Sequence, residues 1–103
     1  MNLNEYTVMG DPEQLLAAWR DATSGFDASD FFLHVVTKRS DGITILDACP
    51  TEADFQGWIN GDDWRRIKAA LGGDVVVTRL GEIDRAVARD SVVEVVCAPS
   101  HSH

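Results

Sequence analysis

Two β-rich runs around a turn constrain this chain more than any other stretch: residues 31–39 (FFLHVVTKR) and 43–49 (ITILDAC), joined by Ser40-Asp41-Gly42. Asp-Gly is a pair that tight hairpin turns favour, because it tolerates positive φ. The expectation is an antiparallel hairpin. With Asp41-Gly42 as its two-residue loop, Val36 pairs with Asp47 and His34 with Cys49. Alternation then assigns His34, Val36, Lys38, Ile45, Asp47 and Cys49 to one face, and Leu33, Val35, Thr37, Thr44, Leu46 and Ala48 to the other. The second set is small and aliphatic, fit to lie under helices. The first is mixed and gathers His34, Asp47 and Cys49 as cross-strand neighbours, a candidate pocket wall.

The flanking segments extend the pattern. Residues 3–9 read as a first strand, and Asp11-Pro12-Glu13 as a helix start, with Asp at the N-cap and Pro at N1. Leu15, Leu16, Trp19 and Ala22 form its apolar stripe, and Gly25 is expected at the left-handed position that ends it. After the hairpin, Thr51 caps a second helix with Asp54 at N3, and Phe55, Trp58 and Ile59 continue its apolar face. Asn60-Gly61-Asp62 interrupts, Asp62 is expected to recap, and Trp64, Ile67, Ala70 and Leu71 resume the stripe up to Gly72-Gly73. Residues 75–80 give a fourth strand, with a possible continuation through Glu82-Ile83. Residues 92–96 form a fifth strand or an arm, and 99–103 a disordered tail. The order β-α-β-β-α-β is the ferredoxin-like α+β arrangement: one domain over residues 1–98, an antiparallel sheet with two helices on one face.

Charge excludes some partners. Seventeen acids against nine bases leave a net charge of −8, whereas nucleic acids and anionic membranes select clustered Lys and Arg. No apolar run is long enough to span a bilayer, and the first residues lack the basic and apolar regions of a secretory signal. A cytoplasmic location is expected. There Cys49 and Cys97, without metal-type spacing, are read as free thiols, and no metal site is expected. Neither GxGxxG, Walker A nor GxSxG occurs, so nucleotide and serine-hydrolase chemistry have no support.

The hairpin-plus-helix from Phe32 to Leu71 resembles the dimeric α/β-barrel superfamily, in its antibiotic-biosynthesis-monooxygenase-like branch. That branch carries a D-x-W-x-S-x-x-x-F junction, and Asp47, Thr51 (for Ser) and Phe55 match it, while Cys49 stands at the Trp position. The resemblance implies a homodimer closing sheet to sheet into a barrel, with a cleft in each protomer. It also implies oxidation of quinol- or phenol-type molecules without metal, flavin or other cofactor. Related haem-degrading members use an Asn in strand one, a Trp in helix two and a His ten residues later. Asn4 and Trp58 match, but Lys68 takes the third position, so haem chemistry ranks lower.

The expected function is that of a cofactor-independent monooxygenase-like protein acting on an aromatic or polyketide-type small molecule. His34 is its candidate base and Asp47 the acid that orients it; Asn4, Tyr6, Trp58, Trp64 and Arg79 are candidate substrate contacts. Arg79 is expected either to hold an acidic substrate or to pair with an acid such as Glu5, and Trp64 to pack in the core. Cys49 would be a nucleophile only if the start of the second helix lowered its pKa. The alternative is a non-catalytic dimeric module that binds a small ligand or another protein.

Overall fold

A computed structural model describes residues 1–27, 32–88 and 91–93. The elements are β1 (Asn2–Met9), α1 (Pro12–Ala22), β2 (His34–Lys38), β3 (Gly42–Cys49), α2 (Glu52–Ile59), α3 (Asp62–Ala70), β4 (Val76–Glu82), β5 (Ala86–Ala88) and β6 (Ser91–Val93). Strands β2-β3-β1-β4, in that order, form one antiparallel sheet. With its three helices this is an α+β fold compatible with the ferredoxin-like arrangement. Among the described residues, β5 and β6 pair only with each other. Phe31, Cys97, residues 94–96 and the tail 99–103 lie outside the described residues.

The hairpin forms, in a register two residues from the expected one. Arg39 N donates to Gly42 O at 2.8 Å, so Ser40-Asp41 is the loop, and His34 faces Asp47, Val36 faces Ile45 and Lys38 faces Ile43. Gly42 belongs to the strand because β1 runs against it. A Cβ at this position would stand 2.0 Å from the Val8 carbonyl oxygen. Its glycine is required by a close approach of backbone, not by a turn. A shift of two preserves alternation, so both face sets survive.

Their assignment to helix and solvent is the reverse of the expected one. The helices cover the face of His34, Val36, Ile45 and Asp47, and the aliphatic set lies outside. The deciding strand is β1: Tyr6 and Val8, opposite Ile45 and Ile43, make the centre of that face bulky and apolar. Trp19 and Ala22 of α1, Trp64 and Ile67 of α3, and Leu71 close over it as one buried cluster. The outer face keeps Val35, Val76 and Leu80 at 39%, 64% and 48% exposure.

Local signals set the helix ends. Asp11 accepts from Gln14 N and Thr51 from Asp54 N, both from N-cap positions. Two expected stops are corrected. Helix α1 ends at Thr23, whose Oγ1 donates to Trp19 O at 2.7 Å, and Gly25 does not take a left-handed conformation. Gly61, not Asp62, is the N-cap of α3, because the chain turns so tightly that a Cβ there would lie 2.8 Å from Gly57 O. Asp62 becomes the first helical residue and pairs with Arg65. Gly72 and Gly73 end α3 at φ 97° and 89°, where L-residues are strained.

Candidate functional site

The polar residues of the helix-covered face meet at one end of the buried layer. Asn4, completely buried, donates from Nδ2 to Asp47 Oδ1 at 3.0 Å. Tyr6, 2% exposed, donates its hydroxyl to Asp47 Oδ2 at 2.9 Å. Both carboxylate oxygens therefore have a donor, and His34 is the cross-strand neighbour of the same residue. The His34 ring stacks on Trp19 of α1, with centroids 5.3 Å apart and planes at 18°. Sequence reasoning placed Trp19 only in a helix stripe; its role became visible once the His34 face proved to be the covered one.

Arg79 enters the cluster from β4. The β1–β4 register shifts between Leu3 and Asn4, and past this irregularity Asn4 faces Arg79. Arg79 Nε donates to Asn4 Oδ1 at 2.8 Å, its guanidinium lies 3.8 Å above the Phe55 ring, and its two amino groups grip Glu52 at 2.6 and 3.2 Å. The expected pairing with Glu5 is corrected: Glu5 alternates onto the outer face, whereas Glu52, in the first turn of α2, is within reach. Both partners are solvent-exposed, so screening by water leaves the ion pair itself little stabilising effect. Its effect is positional, fastening the α2 N-terminus over β4.

Burial and charge set the protonation states. Burial raises the Asp47 pKa, against the pull of Asn4, Tyr6, His34 and Arg79. Burial lowers that of His34 despite the nearby Asp47, so the imidazole is neutral at physiological pH and able to accept a proton. The Tyr6 phenol is raised, by burial first and then by the Asp47 charge, and remains a donor. Cys49, in contact with Asn4 Nδ2 at 3.7 Å, is pushed up to about 11 by burial and by Asp47 and Asp54. The start of α2 does not activate this thiol.

Aromatic rings form the wall toward the helices. Trp64 packs on Tyr6 at 5.0 Å and on Trp58 at 5.8 Å, so the break at Asn60-Gly61 brings the two tryptophans together. Trp58 meets Phe26 edge to face at 6.2 Å. Its indole N–H lies near the Tyr6 hydroxyl, close enough to favour the phenolate slightly, yet outside hydrogen-bond geometry. This buried N–H has no hydrogen-bond partner among the described residues, a state costing about 1–3 kcal/mol. Lys68, the residue expected from the resemblance to stand where haem-degrading members carry a histidine, is exposed on α3. Among the described residues no three His, Cys, Asp or Glu side chains gather as metal ligands, and no helix is long and apolar enough to cross a membrane.

Compared with models of known protein families, with curated proteins and with solved structures, the chain finds no match. The site is therefore interpreted from its own chemistry.

Proposed function

We propose that the protein is a cofactor-independent monooxygenase-like enzyme, acting on an aromatic or polyketide-type small molecule in the layer between sheet and helices. The observation that carries this reading is the placement of His34, a neutral imidazole, opposite an Asp47 carboxylate fixed by Tyr6 and Asn4. A substrate with an acidic C–H next to an aromatic ketone or phenol gives up that proton to His34. Asp47 stabilises the imidazolium, and the electron-rich carbanion reacts with oxygen. In balance, a ring CH2 and O2 become a ring C=O and water. The protein supplies base, orientation and a site poor in water.

A second copy covering the outer sheet face belongs to this proposal, supported by exposed Val35, Val76 and Leu80 on that face. So does a cytoplasmic setting, in keeping with the free Cys49. The binding-module alternative is favoured by one observation: the Arg79 fork is already occupied by Glu52, so it holds no free charge for an acidic substrate.

Anthrone under air tests the reading, by oxygen uptake together with appearance of anthraquinone. Wild type is expected to turn over, and a folded His34→Ala variant to lose at least about 100-fold, the contribution of a positioned base. No oxygen uptake with anthrone-type substrates would leave the binding module. Equal rates in both proteins would remove His34 from the chemistry.

A further inference from the structure

A chain of polar contacts runs from the rim of the domain to the buried carboxylate. Glu52, in the first turn of α2, holds both amino groups of Arg79, and the Phe55 ring lies beneath the guanidinium. Arg79 Nε donates to Asn4 Oδ1 at 2.8 Å, and Asn4 Nδ2 donates to Asp47 Oδ1 at 3.0 Å. The same nitrogen contacts Cys49 Sγ at 3.7 Å. Arg79 and Glu52 are partly open to water, whereas Asn4 is completely buried. The single amide of Asn4 therefore links a surface cation to an interior acid.

The chemistry of these groups fixes which way that amide points. A guanidinium has donors and no acceptor, so the Asn4 oxygen must face Arg79 and the NH2 must face Asp47 and Cys49. Reversed, the amide would set donor against donor at Arg79 and acceptor against acceptor at Asp47, losing both bonds in a buried place. A proton on Asp47 Oδ1 would likewise meet a group that can only donate. Tyr6 imposes no such condition on Oδ2, because a hydroxyl accepts as readily as it donates. The groups acting on Asp47 are Asn4 and Tyr6 of β1, His34 of β2 and Arg79 of β4. Glu52 and Asp54 of α2 act on Arg79 and Cys49, while α1 and α3 bring the uncharged rings of Trp19 and Trp64 against His34 and Tyr6. Burial favours the protonated acid, and the Asn4 bond opposes it.

We infer that Arg79 is a positioning residue: acting through the Asn4 amide, it holds Asp47 as the acceptor-only carboxylate opposite His34. Its bearing on catalysis rests on the proposed role of His34 as base, and it adds what keeps the partner of that base ionised inside the domain. Arg79 needs no contact with a substrate for this task, in keeping with a fork closed by Glu52.

The test follows the Asp47 side-chain carboxyl by carbon NMR across pH in the full chain. Arg79→Met keeps a flexible apolar stem beside Phe55 at a partly exposed position, so the protein folds, but every donor is gone. The Asp47 titration midpoint should then rise by about one pH unit. The rise should persist in about 0.5 M salt, which screens an exposed charge and leaves a relayed hydrogen bond intact. In an Asn4→Leu background, Arg79→Met should add no further rise; the salt series decides if that background does not fold. An unmoved midpoint in Arg79→Met, a rise erased by salt, or an equal rise without the Asn4 amide overturns the inference. With anthrone, Arg79→Met should lower kcat and leave KM nearly unchanged, with the loss largest at low pH and recovered as Asp47 ionises. A wild type that oxidises no anthrone while its midpoint responds to Arg79→Met removes the oxidation chemistry and leaves the Arg79 relay in place.

Discussion

Asp47 depends on two donors that come from a different strand, and burial outweighs their pull in setting its protonation. Tyr6→Phe removes one hydrogen bond to a half-buried carboxylate and should cost about 2 kcal/mol in urea unfolding. Because burial raises the Asp47 pKa in the folded state, its favourable contribution is present below the unfolded value and fades as pH rises through the folded one. His34 has the opposite sign. Its folded pKa is depressed, so the stability it provides is present above 6.5 and is lost as pH falls through the folded value. Unfolding midpoints measured between pH 5 and 8 should therefore decline toward acid, and His34→Gln should flatten that decline. Cys49, at about 11, should resist a thiol reagent such as Ellman's at neutral pH until the protein unfolds, a rate best read in a Cys97→Ser background. His34, Asp47, Asn4, Tyr6 and Arg79 were all legible as candidates, since polar groups stood out in apolar strands. Glu52 and Phe55 were not legible as Arg79 partners, because they meet it only through the β1–β4 register and the placement of α2.

Among the elements, the caps and the hairpin were readable because their determinants are local. Thr51 and Asp54 lie three residues apart, and Gly72-Gly73 adjoins the helix it ends. The side of the hairpin that faces the helices was not readable. It is decided by Tyr6 and Val8, distant in sequence, and the aliphatic set looked equally fit for burial. The hairpin register failed for a related reason. Asp-Gly looked like a turn, whereas Gly42 is demanded by the Val8 carbonyl of another strand. Gly42→Ala should thus separate β1 from β3 and cost about 3 kcal/mol or more, while Gly25→Leu, at a position with open space, should be nearly neutral in stability. Circular dichroism with urea titration of the two variants distinguishes a glycine kept for close approach from one kept for nothing steric.

For the molecule as a whole, the helix-free side of the sheet is the open question that the fold raises. Its Val, Leu and Thr surface suits a second sheet packed about 10 Å away, and the proposed pairing makes a specific claim about charge. Each copy carries −8, so association works against repulsion and should strengthen with added salt as that repulsion is screened. Sedimentation across protein concentration and ionic strength should show it. Val35→Lys, in the outer face of β2, should shift the balance to monomer without unfolding the domain.

The position of β1 has a consequence for the order in which the chain assembles. It precedes both of its neighbours in the chain, yet it lies inside the sheet, bonded on one side to β3 and on the other to β4. On a ribosome β1 first waits for β3, and the sheet then stays one strand short until β4 has emerged. Closure of one long loop after another makes such a chain slower to fold than a helical bundle of equal length. During that wait the bare β1 edge is the part of the nascent protein most prone to pair with the wrong chain.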